Sequence, residues 1–158
     1  MRYARILSTG GYAPDRIVTN ADFAARFGEK VDDWLVENVG IRARRYMNDG
    51  QVTSDLAVAA GRVALERAGL EPAALDQIIV ATDTPDYLSP ATAAVVQAKL
   101  GAHRAGVFDI NSACAGWVIA LDVAARRVIT EPEDTTILVI GAYGMSRFLD
   151  PNDKKTVT

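Results

Sequence analysis

Two short segments, Gln77–Thr82 (QIIVAT) and Thr135–Ala142 (TTILVIGA), are apolar on consecutive residues rather than on alternate ones. A strand with water on one face alternates, whereas a strand covered on both faces does not. These segments therefore demand a largely parallel sheet with helices on each side. The intervening stretches supply the helices. Thr53 or Ser54 is placed to cap a helix carrying Leu56, Ala60, Val63 and Ala64 at helical spacing, which Gly69 stops. Pro90 suits the first turn of a second helix, ATAAVVQAKL, which ends at Gly101. Ala105–Ile110 reads as a strand, and a helix runs from beyond Cys114 to about Ile129. Towards the N-terminus, Arg2–Ser8 reads as a first strand and Thr19 or Asn20 caps a helix through Phe27. Asp32 or Asp33 opens a short helix stopped by Gly40, and Ile41–Met47 is extended. No linker or repeat divides the chain.

The 158 residues hold 17 Lys and Arg against 20 Asp and Glu, a net charge of −3. A nucleic-acid surface needs a basic face to neutralise phosphates, so this balance argues against one. No apolar run reaches the length of a membrane span, and MRYARILSTGGY lacks the form of a signal peptide, so the chain reads as cytoplasmic. One cysteine and one histidine permit no internal disulfide and do not make up a metal ligand set. Gly10-Gly11 has neither the dinucleotide-loop nor the Walker spacing.

The segment FDINSACAGWVIALDVAARRVI, Phe108 to Ile129, carries the chemistry. A strand runs into Cys114, flanked by Ala113, Ala115 and Gly116, and a helix follows. The first turn of a helix offers N–H groups without internal partners and the positive end of the dipole, which favour an anionic sulfur. Those N–H groups also suit the oxyanion of a tetrahedral intermediate. The implied chemistry is acyl transfer through a thioester on Cys114. The competing reading is a small buried cysteine packed among alanines.

This segment resembles the nucleophile region of the β-ketoacyl-acyl-carrier-protein synthase III family. TGGYAPDRIVTNADFAARF, VDDWLVENVGIRARR, ATDTPDYLSPATAAVVQAKLGA and GAYGMSRFLDPNDKKT are similar to further segments of that family, in the same order. The resemblance implies an α/β thiolase-like fold, layered α-β-α-β-α, with residues 1–158 covering most of its N-terminal half. It implies that Cys114 accepts an acyl group from acyl-CoA and that the acyl group then condenses with malonyl-acyl carrier protein, with loss of carbon dioxide. It implies no permanently bound cofactor and no metal.

Residue by residue, Trp34 falls where the family stacks an aromatic ring on the adenine of coenzyme A. Asn38 stands where an arginine usually lies beside the phosphates. Lys154 and Lys155 stand at a usual Arg-Gly pair, and a lysine brings charge without a guanidinium plane. Met145 falls on a lining position of the acyl pocket. Ser89 falls where a dimer partner often inserts a bulky residue, so its small side chain implies space for a larger primer.

The family mechanism also uses a histidine and an asparagine from the second half of a longer chain. His103, in LGAHRAG, does not match that histidine and reads as an exposed loop residue. Thr156-Val157-Thr158 reads as the start of another strand. The resulting expectation is an incomplete half-domain, completed by a C-terminal-half polypeptide that supplies the histidine and asparagine, the complete unit forming a homodimer. Two other readings remain: a ketosynthase-III-like acyltransferase of specialised metabolism, and a non-catalytic scaffold that binds an acylated partner.

Asp83, Asp86 and Asp109 are candidate acid–base groups, but aspartates between strands and loops commonly cap and turn, and that reading is preferred. Arg42, Arg44 and Arg45 with Tyr46 form a basic cluster suited either to a solvated or carrier-docking face or to a phosphate contact. Trp117 reads as core packing.

Overall fold

The computed structural model describes residues 3–28, 30–131 and 135–157. The chain divides into two compact units, Met1–Tyr12 with Val52–Gly144, and Ala13–Gln51 with Met145–Thr158. Each is built from two separate stretches of chain, which is why a search for one linker finds no boundary.

The first unit is built on a three-stranded parallel sheet of β3 (Gln77–Ala81), β4 (Gly106–Ile110) and β5 (Ile137–Gly141), in the order β4-β3-β5. Ile78 is in register with Val107 on one side and Leu138 on the other. Ile78, Ile79 and Val80 of the central strand are 0% exposed, as the unbroken apolar run requires. The alternating side chains feed two cores. Ile78, Val80, Leu138 and Ile140 pack with Ala57 and Leu65 of helix α3 (Thr53–Ala68) and with Val96 and Leu100 of α4 (Thr92–Leu100). Ile79 and Ala81 pack on the other face with Ala120 and Ala124 of α5 (Gly116–Thr130).

The two faces are covered unequally. On β5, Leu138 and Ile140 are buried, whereas Ile137 and Val139, which face α5, are only half-buried. The helix itself leaves Val118 66% exposed, with Trp117, Ile119 and Leu121 also at the surface. Trp117 thus departs from the core position expected of it. A Cβ built on Gly141 would come 3.2 Å from Trp117 Cε3, so the indole lies across the glycine and leaves its outer edge in solvent.

Glycines end the helices where the sequence marks them: Gly69 and Gly101 adopt φ 64° and 79°, left-handed values that cost other residues a Cβ clash. The helix starts differ from expectation. Val52 is the cap of α3 and Thr53 its first residue; the carboxylate of Asp55 accepts the Val52 N–H at 2.9 Å. Pro90 lies ahead of α4, which begins at Thr92.

The expected first strand over Arg2–Ser8 does not form among the described residues, where the first strand begins at Arg16; Arg2 lies outside them. The Ser8 hydroxyl donates to the Ala64 carbonyl of α3 at 2.6 Å, and Arg67 donates to the Thr9 carbonyl at 2.9 Å. Gly10 lies so close to α3 that a Cβ there would meet the Ala60 carbonyl oxygen at 2.4 Å. Ser8–Gly10 is thus held against a helix surface.

In the second unit, β1 (Arg16–Thr19) pairs antiparallel with β2 (Ala43–Tyr46). Helix α1 (Asn20–Phe27) opens with a capping box: the Thr19 N–H donates to Asp22 Oδ2 at 2.7 Å and the Asp22 N–H to Thr19 Oγ1 at 3.3 Å. Helix α2 (Lys30–Trp34) starts before Asp32 and continues into a π-helical turn, Leu35–Val39, stopped by Gly40. Phe23, Val31 and Leu35 form this unit's core. Buried Asn20 donates to Asp32 Oδ1 and to the Ile41 carbonyl, and accepts from Arg44 at 3.0 Å. Arg44 also lies 4.6 Å from the Phe23 ring centroid, and Arg45 donates to the Pro14 carbonyl at 3.0 Å. Two of the three arginines in the basic cluster are therefore committed to the fold. Finally, Lys154–Val157 forms a short helix, α6, and not the start of a strand; Thr158 lies outside the described residues.

Candidate active site

The strand β4 ends at Ile110, and four residues later the chain reaches Cys114 in a tight turn, Ala113–Ala115, that runs directly into α5. The Ala115 N–H closes this turn on the Ser112 carbonyl at 3.1 Å. Cys114 is exposed within this unit, and not packed among the neighbouring alanines there. Ala113 takes φ 45°, the one described non-glycine residue at positive φ. That conformation costs a side-chain-bearing residue about 1–2 kcal/mol, and such strain collects at functional sites. Gly116 is buried, and a Cβ on it would make only ordinary contacts, 3.5 Å from Ala81 Cβ.

Two of the three candidate aspartates, Asp109 and Asp86, hold the scaffold. Asp109 on β4 accepts the N–H groups of Thr92 and Ala93, at 2.6 and 2.7 Å, and so caps α4 from a neighbouring strand. Asp86 accepts the Ser54 N–H in the first turn of α3 at 2.9 Å. Asp83 lies exposed in the loop after β3. Around them lies a buried hydroxyl cluster that composition and spacing did not single out. Thr53 donates to the Thr84 carbonyl at 2.5 Å, and the Gly144 N–H donates to Thr84 Oγ1 at 2.8 Å. Its only trace in the sequence is the polar run Thr82-Asp83-Thr84 directly after a wholly apolar strand.

Ser89 belongs to the same unit as Cys114 and is exposed, next to Tyr87 and Leu88, which also project into solvent. His103 is exposed in the turn before β4, whereas Cys114 follows its far end. Five strand residues at about 3.3 Å each separate those ends, so this histidine does not pair with the thiol. Among the described residues, no three His, Cys, Asp or Glu side chains are grouped to hold a metal ion.

The remaining candidates belong to the second unit. Trp34, at the end of α2, is 50% exposed and presents its ring to solvent. Asn38 donates its side-chain amide to the Trp34 carbonyl at 3.0 Å. Lys154 opens α6. Met145 is half-buried and begins a turn, Met145–Arg147, whose Ser146 hydroxyl accepts the Met47 N–H at 3.1 Å.

Comparison with known proteins bears on this arrangement. Residues 108–158, which include Cys114, match the family described as 3-oxoacyl-[acyl-carrier-protein (ACP)] synthase III. The chain is 46% identical over 156 residues to a β-ketoacyl-[acyl-carrier-protein] synthase III of Laribacter hongkongensis, covering 99% of this chain and 48% of that protein. It is 49% identical over 153 residues to the acetoacetyl CoA synthase NphT7 of Streptomyces sp. (strain CL190), covering 97% of this chain and 46% of the relative. The crystal structure of the 3-oxoacyl-[acyl-carrier-protein] synthase III from Aquifex aeolicus superposes with a TM-score of 0.87 at 37% identity, over 97% of this chain and 49% of its own. The fold is therefore the α/β thiolase-like fold expected. The chain spans about half the length of the relatives it matches, each of them a single longer chain, which gives no support to a separate polypeptide for the other half. In sequence and fold, this chain is thus similar to about half the length of the β-ketoacyl-acyl-carrier-protein synthase III proteins.

Proposed function

We propose that Cys114 is the acyl-accepting nucleophile of a β-ketoacyl-ACP synthase III-type condensing enzyme. The observation that carries this reading is the exposed Cys114 on a strained turn between a clamped strand and a helix start. The Cys114 thiolate attacks the thioester carbonyl of acyl-CoA, coenzyme A leaves as its thiolate, and the acyl group stays on sulfur. The dipole at the start of α5 favours the negative charge that develops on the carbonyl oxygen. A malonyl unit on acyl carrier protein then loses carbon dioxide, and its enolate carbon attacks the Cys114 thioester, which frees the thiolate. This chemistry needs no permanently bound cofactor, and acyl-CoA enters as a substrate. The exposed ring of Trp34 stacks on the adenine, with Asn38 and Lys154 beside the phosphates, and Met145 and Ser89 line the acyl chain.

On this reading the histidine and asparagine that handle the malonyl group come from the half of the enzyme outside residues 1–158. The bare apolar residues of α5, Val118 above all, support a further layer over that helix. The complete unit works as a homodimer in the cytoplasm. Among the described residues no helix is long and apolar enough to cross a membrane.

Intact mass after incubation with acyl-CoA tests the central step. The chain gains one acyl mass and C114A gains none; an unmodified wild-type chain overturns the reading and favours a non-catalytic binding role. A second reading, in which the condensed product stays on coenzyme A, is favoured by the relative named acetoacetyl CoA synthase. Comparing malonyl-CoA with malonyl-ACP as the acceptor separates the two.

A further inference from the structure

We propose that Asp109 is a positioning residue that holds the Cys114 turn in its reactive conformation, an inference that rests on Cys114 being the nucleophile. Asp109 lies on β4, five residues before the cysteine. Each of its carboxylate oxygens takes one backbone N–H from the first two residues of α4, Thr92 at 2.6 Å and Ala93 at 2.7 Å. The residue preceding that helix, Ala91, supplies no side-chain cap, so the strand carboxylate does the work of one. The next residue, Ile110, is held from the opposite side, because its carbonyl accepts the Thr82 N–H at 3.0 Å. The point at which the chain leaves the sheet is thus clamped between α4 and the extension of β3.

Three residues beyond that clamp, Ala113 adopts φ 45°. A side-chain-bearing residue keeps such a conformation only where its surroundings over-determine it. Asn111, Ser112, Ala113 and Cys114 are all exposed, so packing over the turn does not supply that constraint within this unit. The constraint comes from the two fixed ends: β4, locked by Asp109, and α5, which begins at Gly116. Release of the β4 end lets Ala113 relax to an ordinary conformation and carries Cys114 away from the helix start.

The sheet supplies an internal control. Asp76 also uses a carboxylate to accept a backbone N–H, that of Thr136 at 2.8 Å, but it does so just before β3 starts, at the end of the parallel sheet away from Cys114. A purely structural account expects Asp109 and Asp76 variants to differ only in stability.

The test measures two rates at Cys114, acylation by acyl-CoA and alkylation by iodoacetamide, at a temperature where each variant is folded by circular dichroism. D109N keeps one acceptor oxygen and sets an amide against the other N–H, so both rates fall about threefold. D109A removes both bonds, and the rates fall tenfold or more. D76A leaves them within twofold of wild type. A113G in the D109A background restores most of the loss, because glycine accepts positive φ without a Cβ clash. Should D109A fail to fold, the comparison of D109N with D76A and the D109N/A113G rescue decide the matter. Equal rates in D109N and wild type, an equal fall in D76A, or no rescue by A113G would each overturn the proposal. A wild-type chain that alkylates but takes no acyl group defeats the functional reading instead, and the alkylation series still tests the clamp.

Discussion

The Gly144 N–H donates to the Thr84 hydroxyl oxygen at 2.8 Å, and both groups are buried. Thr84 lies in the loop leaving β3 and Gly144 in the loop leaving β5, so one hydroxyl joins the chain exits of two adjacent parallel strands. Thr84→Val keeps the shape but leaves the Gly144 N–H without an acceptor. A buried donor left unpaired costs about 1–3 kcal/mol, and that loss is expected in urea denaturation. Thr84→Ser, which retains the hydroxyl, recovers most of it.

Adjacent glycines give opposite outcomes. A Cβ at Gly10 would meet the Ala60 carbonyl oxygen at 2.4 Å and the Ala64 nitrogen at 2.5 Å, both backbone atoms that cannot swing aside. Gly11 has open space and no positive φ. Gly10→Ala is therefore expected to lose about 1–3 kcal/mol through overpacking. Gly11→Ala stays within about 0.5 kcal/mol of the wild type. Thermal unfolding of the two variants checks the pair.

Two aspartates tie stability to acid. Asp22 is held below the usual carboxylate range by the Thr19 backbone N–H and then by the Thr19 side chain. At Asp55, burial pushes the carboxyl up, but the Lys99 hydrogen bond, the Val52 N–H and the Lys99 charge together bring it below its ordinary value. A carboxylate whose folded value is depressed stabilises the fold above the unfolded value of about 3.9, and that contribution is lost as pH falls through the folded value. Asp55→Asn is therefore expected to lower stability at pH 7 and to flatten its decline below about pH 4. Urea titrations between pH 2 and pH 7 read this directly.

Coenzyme A recognition is tested at Trp34 and Asn38. Stacking of an aromatic ring on a nucleobase is worth about 1–3 kcal/mol, so on the proposed reading Trp34→Ala is expected to weaken acyl-CoA binding by about fivefold or more. Asn38→Arg brings a cation towards the phosphates at the cost of the bond to the Trp34 carbonyl. It should tighten binding by about fivefold at low salt, an effect that fades as ionic strength rises. Calorimetric titration of acetyl-CoA against each variant measures both.

The central sheet was legible because complete burial demands apolar side chains on consecutive residues, and β3 has them. The helix ends at Gly40, Gly69 and Gly101 were legible because the left-handed stop needs a residue without a Cβ. The placement of Cys114 was legible as a cysteine at a strand-to-helix junction. The opening segment was misread, because Tyr3 to Ser8 has strand-like composition but no strand partner among the described residues, and its end, Ser8–Gly10, is fixed by hydrogen bonds and close packing on α3. Trp117 was misread for a related reason: local pattern marks a large apolar residue for burial, but whether a layer lies over it is not a local property.

Side-chain periodicity and residue chemistry within a few positions thus fix the central strands, the helices that cover them and the place of the one cysteine between a strand and a helix. The folded chain alone shows that Asp109 caps a helix 17 residues away in sequence, that Thr84 joins two strand exits, and that Ala113 lies at positive φ beside Cys114. Those outcomes depend on which backbone N–H groups the folded chain leaves without partners, and where it leaves them, and neither is encoded by neighbours in the sequence.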